Sequence, residues 1–196
     1  MDKIFENAFL VDRRKTDLVP LITEELSVFP AKLLKFCFDN IGQMYVPVPN
    51  DKLFFVRNGL YTDIYDKRNP METSHVYLFR NGTIEFVLAY HEMDFLKNNY
   101  PHSPAIHEFF HLIDFIFGRL NGKKGYHFLH EELPKGKPLD WYANINLAEK
   151  FAVSGEAFCH SELFVSKDYR THNKLELYQK SPEIYGYFEN FFAQWK

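Results

Sequence analysis

Apolar residues recur every three or four positions in several stretches of the chain, a spacing that is typical of amphipathic helices. The pattern predicts helices over residues 18–27, 30–42, 104–118, 146–164 and from 182 to the C-terminus. Pro30, Pro104 and Pro182 each occupy a first helical position, where the missing N–H has no intrahelical partner to lose. Helices therefore dominate both the N-terminal part and the C-terminal half.

Between the second and third predicted helices, short runs of β-branched and aromatic residues replace the helical pattern. Strands are predicted over residues 45–48 and 53–56, and the clearest hairpin over 75–80 and 83–90. Asn81-Gly82 joins this hairpin, because the pair supplies the positive φ angles that a type I′ turn needs. No internal repeat, linker or low-complexity tract is visible, so residues 1–196 are interpreted as a single domain.

Composition narrows the class of protein. Hydrophobic residues make up 46% and charged residues 25%, as in an ordinary globular chain. Lys plus Arg number 23 against 26 Asp plus Glu, and this slightly acidic balance disfavours nucleic acid as a partner. The apolar runs are too short for a membrane span, and the N-terminus lacks a signal-peptide pattern. We expect a cytoplasmic protein, or a secreted one if a leader was removed or export is non-classical.

The predicted helix over residues 104–118 contains the motif His107-Glu108-Phe109-Phe110-His111, an HExxH pattern. Residues four apart lie one turn apart on the same helix face, so both imidazoles can reach one metal ion. Zinc suits such a site, because it takes neutral histidine nitrogens and keeps an open position for water. Glu108 lies beside that face and can accept a proton from metal-bound water. The motif predicts a catalytic zinc site.

A catalytic zinc ion needs a third protein ligand. Position 117 is Phe117, which excludes the metzincin pattern with its third histidine. The following predicted helix offers Glu149 and Glu156, seven residues apart and therefore on the same face. Helix geometry leaves both open. Glu149 also fits a structural role, since Asn146 precedes it by three residues, as in a capping box.

The motif region resembles the family that comprises the anthrax lethal factor catalytic domain and the Pro-Pro endopeptidases. The resemblance rests on His107 to Asp114, on Tyr142 to Glu149, on the stretch from Ala148 to Ala152, and on the aromatic helix from Pro182. In that family a tyrosine lies seven residues before the glutamate ligand, as Tyr142 does before Glu149. The resemblance spans residues 20–196 and favours Glu149 as the ligand.

Two positions depart from the family pattern. Phe110 stands where the family commonly has glycine, so whatever packs there must sit further back. Val153 stands where an acidic residue often follows the ligand by four positions. The supporting carboxylate of the site would then come from elsewhere, and Glu156 is the candidate for that role or for the ligand itself.

The resemblance implies an α+β, zincin-like fold: a small twisted sheet packed on the HExxH active-site helix, with a mainly helical C-terminal part. It implies a zinc-dependent endopeptidase that acts on a peptide or protein. His107, His111 and Glu149 would bind Zn²⁺, Glu108 would be the general base, and Tyr142 would stabilise the oxyanion. Asp114 would orient a histidine ring, and an extended peptide would pair with the exposed edge of the strand at residues 83–90.

Two alternatives remain at this stage. A catalytically inactive copy of the lethal-factor-like domain would bind a partner through its groove, although the intact HExxH motif argues against it. A regulatory zinc peptidase of another zincin family would use Glu156 as its ligand.

Overall fold

A computed structural model describes the backbone of residues 9–11, 18–41, 44–46, 55–57, 60–62, 75–78, 84–87, 104–120, 128–161 and 172–196. Side chains are described for residues 22–40, 105–120, 128–161 and 172–196. The chain divides into two compact units, Met1–Tyr100 and Pro101–Lys196. That the whole chain forms one domain stays a prediction.

Within the described residues of the first unit lie two helices, α1 (Leu18–Leu26) and α2 (Ala31–Ile41), which confirm the helices predicted there. Pro30 starts α2, because its carbonyl oxygen accepts hydrogen bonds from the backbone N–H groups of Leu33 and Leu34. The apolar positions of both helices are buried as their spacing predicts: Ile22, Leu26, Leu33, Leu34, Cys37 and Phe38.

The strands of the first unit are three or four residues long. They are β1 (Phe9–Val11), β2 (Met44–Val46), β3 (Phe55–Arg57), β4 (Leu60–Thr62), β5 (His75–Leu78) and β6 (Ile84–Val87). The pair β5–β6 is antiparallel with Leu78 opposite Ile84, which confirms the predicted hairpin. β1 and β4 were not predicted, since three residues are too few to display an alternating pattern.

The expectation that residues 83–90 offer an exposed sheet edge is wrong. Val87 in β6 pairs with His75 in β5 and also with Tyr45 in β2. Glu85 pairs with Tyr77 in β5 and with Arg57 in β3. Since β6 has hydrogen-bonded neighbours on both sides, its backbone leaves no edge for an added peptide strand.

The second unit contains the motif helix α3 (Pro104–Leu120), a 3₁₀ turn (Leu129–Glu132), α4 (Leu147–Cys159), α5 (Lys174–Lys180) and α6 (Pro182–Ala193). The predicted helices at 104–118, 146–164 and 182–195 are therefore present, although α4 ends early, with His160 as its C-cap. Residues 162–164 lie outside the described residues. α5 was not predicted.

The predicted fold class is wrong. Among the residues with described side chains, 71% are helical and none lies in a strand, so this part is not an α+β fold with a twisted sheet. The physical reason lies in the motif helix, whose buried aromatic face packs against other helices of its own unit, chiefly α4 and α6. Among the described residues, every helix falls short of the length and apolarity that crossing a bilayer requires.

Phe110 lies at the centre of the helical packing in the second unit. Its fully buried ring contacts Phe151 of α4 edge-to-face at 5.8 Å between centroids, and Phe188 and Phe192 of α6 at 5.5 and 6.2 Å. A Cβ atom at Gly155 of α4 would lie 2.5 Å from the Phe110 ring. The absence of a side chain at Gly155, on the facing helix, thus makes room for the Phe110 ring inside the motif.

This packing predicts that replacing the helical glycine Gly155 with alanine destabilises the protein, although glycine-to-alanine changes inside helices usually stabilise. Gly155→Ala should lower the free energy of unfolding by about 1–3 kcal/mol, because the new methyl group overlaps the Phe110 ring. In an unobstructed helix interior the same change gains up to about 1 kcal/mol. Urea unfolding measures the difference, with Gly186→Ala in α6 as the control, since nothing lies within 4 Å of its added Cβ. Equal stabilisation by both substitutions would contradict the close approach.

Candidate metal centre

His107 and His111 lie one turn apart on α3, as the HExxH spacing predicts. Both residues are buried, with 3% and 8% of their surface exposed, and their ring centroids are 5.0 Å apart in an edge-on arrangement. The ring nitrogens of buried imidazoles normally need polar partners. α4 supplies those partners.

Glu149 of α4 completes a three-residue cluster with the two histidines. Its Oε2 lies 3.3 Å from His107 Nε2 and 3.4 Å from His111 Nε2. One donor atom from each of the three residues lies within 4.8 Å of the other two, an arrangement that could hold a metal ion. The structure therefore brings together the three residues that the sequence analysis selected as candidate ligands.

The spacing of the donor atoms fits a tetrahedral ion. Metal–nitrogen and metal–oxygen bonds of about 2.0–2.1 Å at tetrahedral angles place donor atoms about 3.3 Å apart. The two Glu149 distances have this size. Glu149 Oε2 is also buried and accepts no hydrogen bond of regular geometry from the described residues. Because buried acceptors are normally satisfied, this oxygen indicates a place for a cation.

The capping interpretation of Glu149 explains its backbone but not its side chain. Asn146 is the N-cap of α4, and its Oδ1 accepts a hydrogen bond of 2.8 Å from the Glu149 N–H. In a capping box the glutamate side chain would return to the Asn146 backbone. Instead, the Glu149 carboxylate lies against the two histidines. One residue thus starts the helix with its amide and places its carboxylate beside the two histidines.

Glu156 contacts the other ring nitrogen of His107. Its Oε2 lies 3.4 Å from His107 Nδ1, and its Oε1 lies 3.4 Å from His160 Nε2 at the end of α4. A metal-bound histidine normally has its second ring nitrogen held by a carboxylate or carbonyl, which fixes the tautomer and the ring orientation. Glu156 faces the ring nitrogen that such a group would hold, and Glu149 faces the two Nε2 atoms, as a ligand would.

The charges around His107 are strongly coupled in the metal-free protein. Burial by itself would lower the pKa of His107, but the carboxylates of Glu149 and Glu156, with the charge of Glu108, raise that pKa to about 10. Burial likewise opposes ionisation of Glu149, yet His107 and His111 hold the pKa of this carboxyl far below its usual value. A proton on His107 compensates the buried carboxylates where a metal cation would otherwise do so.

The two predicted catalytic residues border this cluster. Glu108 is buried, with 8% of its surface exposed, and its charge raises the pKa of His107. Tyr142 is half-buried, and its ring centroid lies 6.0 Å from that of His107. Tyr142 belongs to a non-helical turn that ends at the start of α4, in which its carbonyl oxygen accepts a hydrogen bond from Ile145 N–H.

Asp114 does not orient a metal-ligand histidine in the way that we expected. This fully buried residue accepts hydrogen bonds from the backbone N–H and the Nδ1 of His130, at 3.0 and 2.7 Å. The contact ties the 3₁₀ turn to α3, and it raises the pKa of His130 against the opposing effect of burial. His130 is thus a structural partner of the motif helix.

Besides His130, sequence reasoning missed two further histidines with carboxylate partners. His160 follows Glu156 by four positions, and this helical spacing was a usable signal. His172 lies between Asp140 and Glu176. Its contact with Asp140 spans 32 positions, and no local pattern identifies such a pair.

Comparisons with known proteins give no relative: no family model, curated protein or solved structure matches the chain at a significant level. The resemblance to the lethal factor and Pro-Pro endopeptidase family stays a prediction.

The geometry of the cluster predicts unequal effects for the two glutamates. Glu149→Ala should weaken zinc affinity sharply, because two histidines alone lose the neutralising carboxylate. Glu156→Ala should weaken it only about 10- to 100-fold, the range typical for loss of a group that supports a ligand. Competition against a chromophoric chelator measures both affinities. The reverse order would make Glu156 the ligand and Glu149 a helix cap.

The raised pKa of His107 predicts that zinc binding displaces a proton. A metal takes the neutral imidazole, whereas a group with a pKa of about 10 is protonated in the metal-free protein at neutral pH. Zinc affinity should therefore rise with pH, by about tenfold per unit between about pH 6 and pH 8, with release of at least about one proton. Calorimetry in buffers of different ionisation enthalpy counts the protons. Release close to zero would show that His107 is neutral before zinc arrives.

Proposed function

We propose that this protein is a zinc-dependent endopeptidase. The observation that carries the proposal is the convergence of His107, His111 and Glu149 at distances that suit a tetrahedral ion. Two imidazoles and one carboxylate form a donor set that catalytic zinc uses, and three protein ligands leave one position for water or substrate. The HExxH sequence of α3 adds a carboxylate, Glu108, beside the ligands.

Bound zinc would supply a water molecule of lowered pKa and a positive charge for the carbonyl oxygen of the substrate. Glu108 would accept the proton of that water and then donate it to the leaving amine, as a general base and acid. Glu156 would hold His107 in the tautomer that presents Nε2 to the metal.

Tyr142 would donate a hydrogen bond to the oxyanion that develops when water attacks the peptide carbonyl. Its ring lies beside His107, on the side of the cluster that the turn before α4 occupies. Removal of one such donor costs about 3 kcal/mol of transition-state stabilisation in other hydrolases. Tyr142 would therefore affect turnover without contributing to metal affinity.

The competing proposal is a domain of the same architecture that binds a partner and hydrolyses nothing. Such a domain needs no proton acceptor beside the ligands, so the buried Glu108 favours the enzyme. The alternative of another zincin family with Glu156 as ligand is disfavoured by the contact of Glu156 with His107 Nδ1, the ring nitrogen that faces away from Glu149.

A pair of substitutions in the motif separates metal binding from hydrolysis. Glu108→Gln should keep one zinc per protein and lose peptide hydrolysis, because the amide has similar shape but accepts no proton at neutral pH. His107→Ala should lose tight zinc binding together with hydrolysis. Elemental analysis and cleavage of a random peptide library measure the two properties. A wild-type protein that stays metal-free after zinc reconstitution would overturn the proposal, and zinc binding without any cleavage would favour the partner-binding domain.

A further inference from the structure

A second cluster of titratable side chains includes none of the candidate metal ligands. His172 is buried, with 9% of its surface exposed, and both of its ring nitrogens face carboxylates. Nε2 lies 3.2 Å from Asp140 Oδ2, and Nδ1 lies 3.2 Å from Glu176 Oε2. The Asp140 side chain is only 7% exposed, whereas that of Glu176 is 42% exposed.

His172 bridges two carboxylates, those of Asp140 and Glu176. An ionised carboxylate only accepts hydrogen bonds, so a ring nitrogen of His172 contacts its neighbouring carboxylate as a hydrogen-bond donor. The two carboxylates face opposite sides of the ring, and they cannot converge with it on one metal ion. His172 therefore connects the segment around Asp140 to the start of α5, where Glu176 also accepts a hydrogen bond from Asn173 N–H.

The segment held by His172 is the one that carries Tyr142. Asp140 Oδ1 accepts a hydrogen bond of 2.7 Å from the backbone N–H of Ala143, which closes a turn around Trp141 and Tyr142. The other carboxylate oxygen of Asp140 is the one bound by His172. Loss of the imidazole would leave a nearly buried carboxylate without this partner, and Asp140 would then gain by turning toward water.

We propose that His172 is a positioning residue: by holding Asp140 it fixes the turn that presents Tyr142 to the metal centre. The proposal rests on the proposed function, in which Tyr142 stabilises the oxyanion. The metal ligands all lie on α3 and α4, so the bridge acts on the oxyanion donor and leaves the ligands alone. Loss of the His172 bridge should therefore change turnover and leave metal affinity unchanged.

Hydrogen exchange of the full-length protein tests the bridge independently of any activity. In His172→Ala, backbone amides 143–145 should exchange about 10-fold faster or more, since the turn opens more often once Asp140 is released. Amides 107–117 of α3 should keep their protection. Gln179→Ala, an exposed position of the same helix α5, is the matched control and should change neither region. Unchanged exchange at 143–145 in His172→Ala would overturn the bridge.

A double-mutant cycle tests the link to Tyr142. His172→Ala should lower kcat about 10-fold, with KM and zinc affinity unchanged. In the Tyr142→Phe background the same substitution should have no further effect on kcat, because the hydroxyl that it positions is already gone. A general structural defect would lower kcat equally in both backgrounds, and that result would overturn the positioning role. Should His172→Ala fold poorly, His172→Gln, which retains a side-chain donor, should show the same dependence on Tyr142 with a smaller effect.

The outcomes of this test and of the proposed function are distinguishable. A wild-type protein that binds zinc but cleaves no peptide contradicts the endopeptidase and the catalytic link alike, whereas the exchange rates at residues 143–145 still decide whether the bridge exists. A wild-type protein that cleaves peptides with equal His172→Ala effects in both backgrounds contradicts only the further inference.

Discussion

The close approach of α3 and α4 at Gly155 is the constraint on which the candidate metal centre depends. The Phe110 ring lies where any side chain at Gly155 would have to be, so the two helix backbones approach closely at this point. Glu149 lies six residues before Gly155 on α4, and Phe110 lies between the two histidines on α3. The packing of one aromatic ring against one glycine thus sets the distance between the carboxylate of one helix and the imidazoles of the other.

The same arrangement determines the charge of the interior. Glu108, Glu149 and Glu156 surround His107, and all three carboxyl groups are partly or fully removed from water. Several buried negative charges are costly unless cations lie between them. In the metal-free protein the proton on His107 provides one positive charge. A divalent ion would provide two and would leave His107 neutral, which is the state that a metal ligand requires. The excess of carboxylates is therefore a physical reason for the site to bind a cation.

The sequence was sufficient for features that helix geometry determines and insufficient for those set by tertiary packing. His107 and His111 had to share a face because four residues make one turn. Glu149 and Glu156 are two turns apart on one face, so their roles depend on how far α4 is displaced along α3, which Phe110 and Gly155 decide. The sheet packed on the motif helix was expected from resemblance alone, whereas 71% of the residues with described side chains are helical and none of them lies in a strand. In α5, seven residues show too little periodicity, although its Asn173 and Glu176 form a capping box that sequence could have revealed.

The backbone around Tyr142 is held by side-chain contacts, whereas the backbone of the candidate metal ligands is held by the hydrogen bonds of a helix. The ligands lie on helices, whose hydrogen bonds hold each residue to its own element. The segment 136–146 is not helical, and side chains from later elements hold its carbonyl oxygens: Lys150 contacts Gly136, Ser181 contacts Lys137, and Lys180 contacts Leu139. Each of these contacts can be broken without unwinding a helix. In the proposed enzyme, a change in this segment would therefore alter turnover through Tyr142, while the helices that carry the candidate ligands would keep the metal affinity constant.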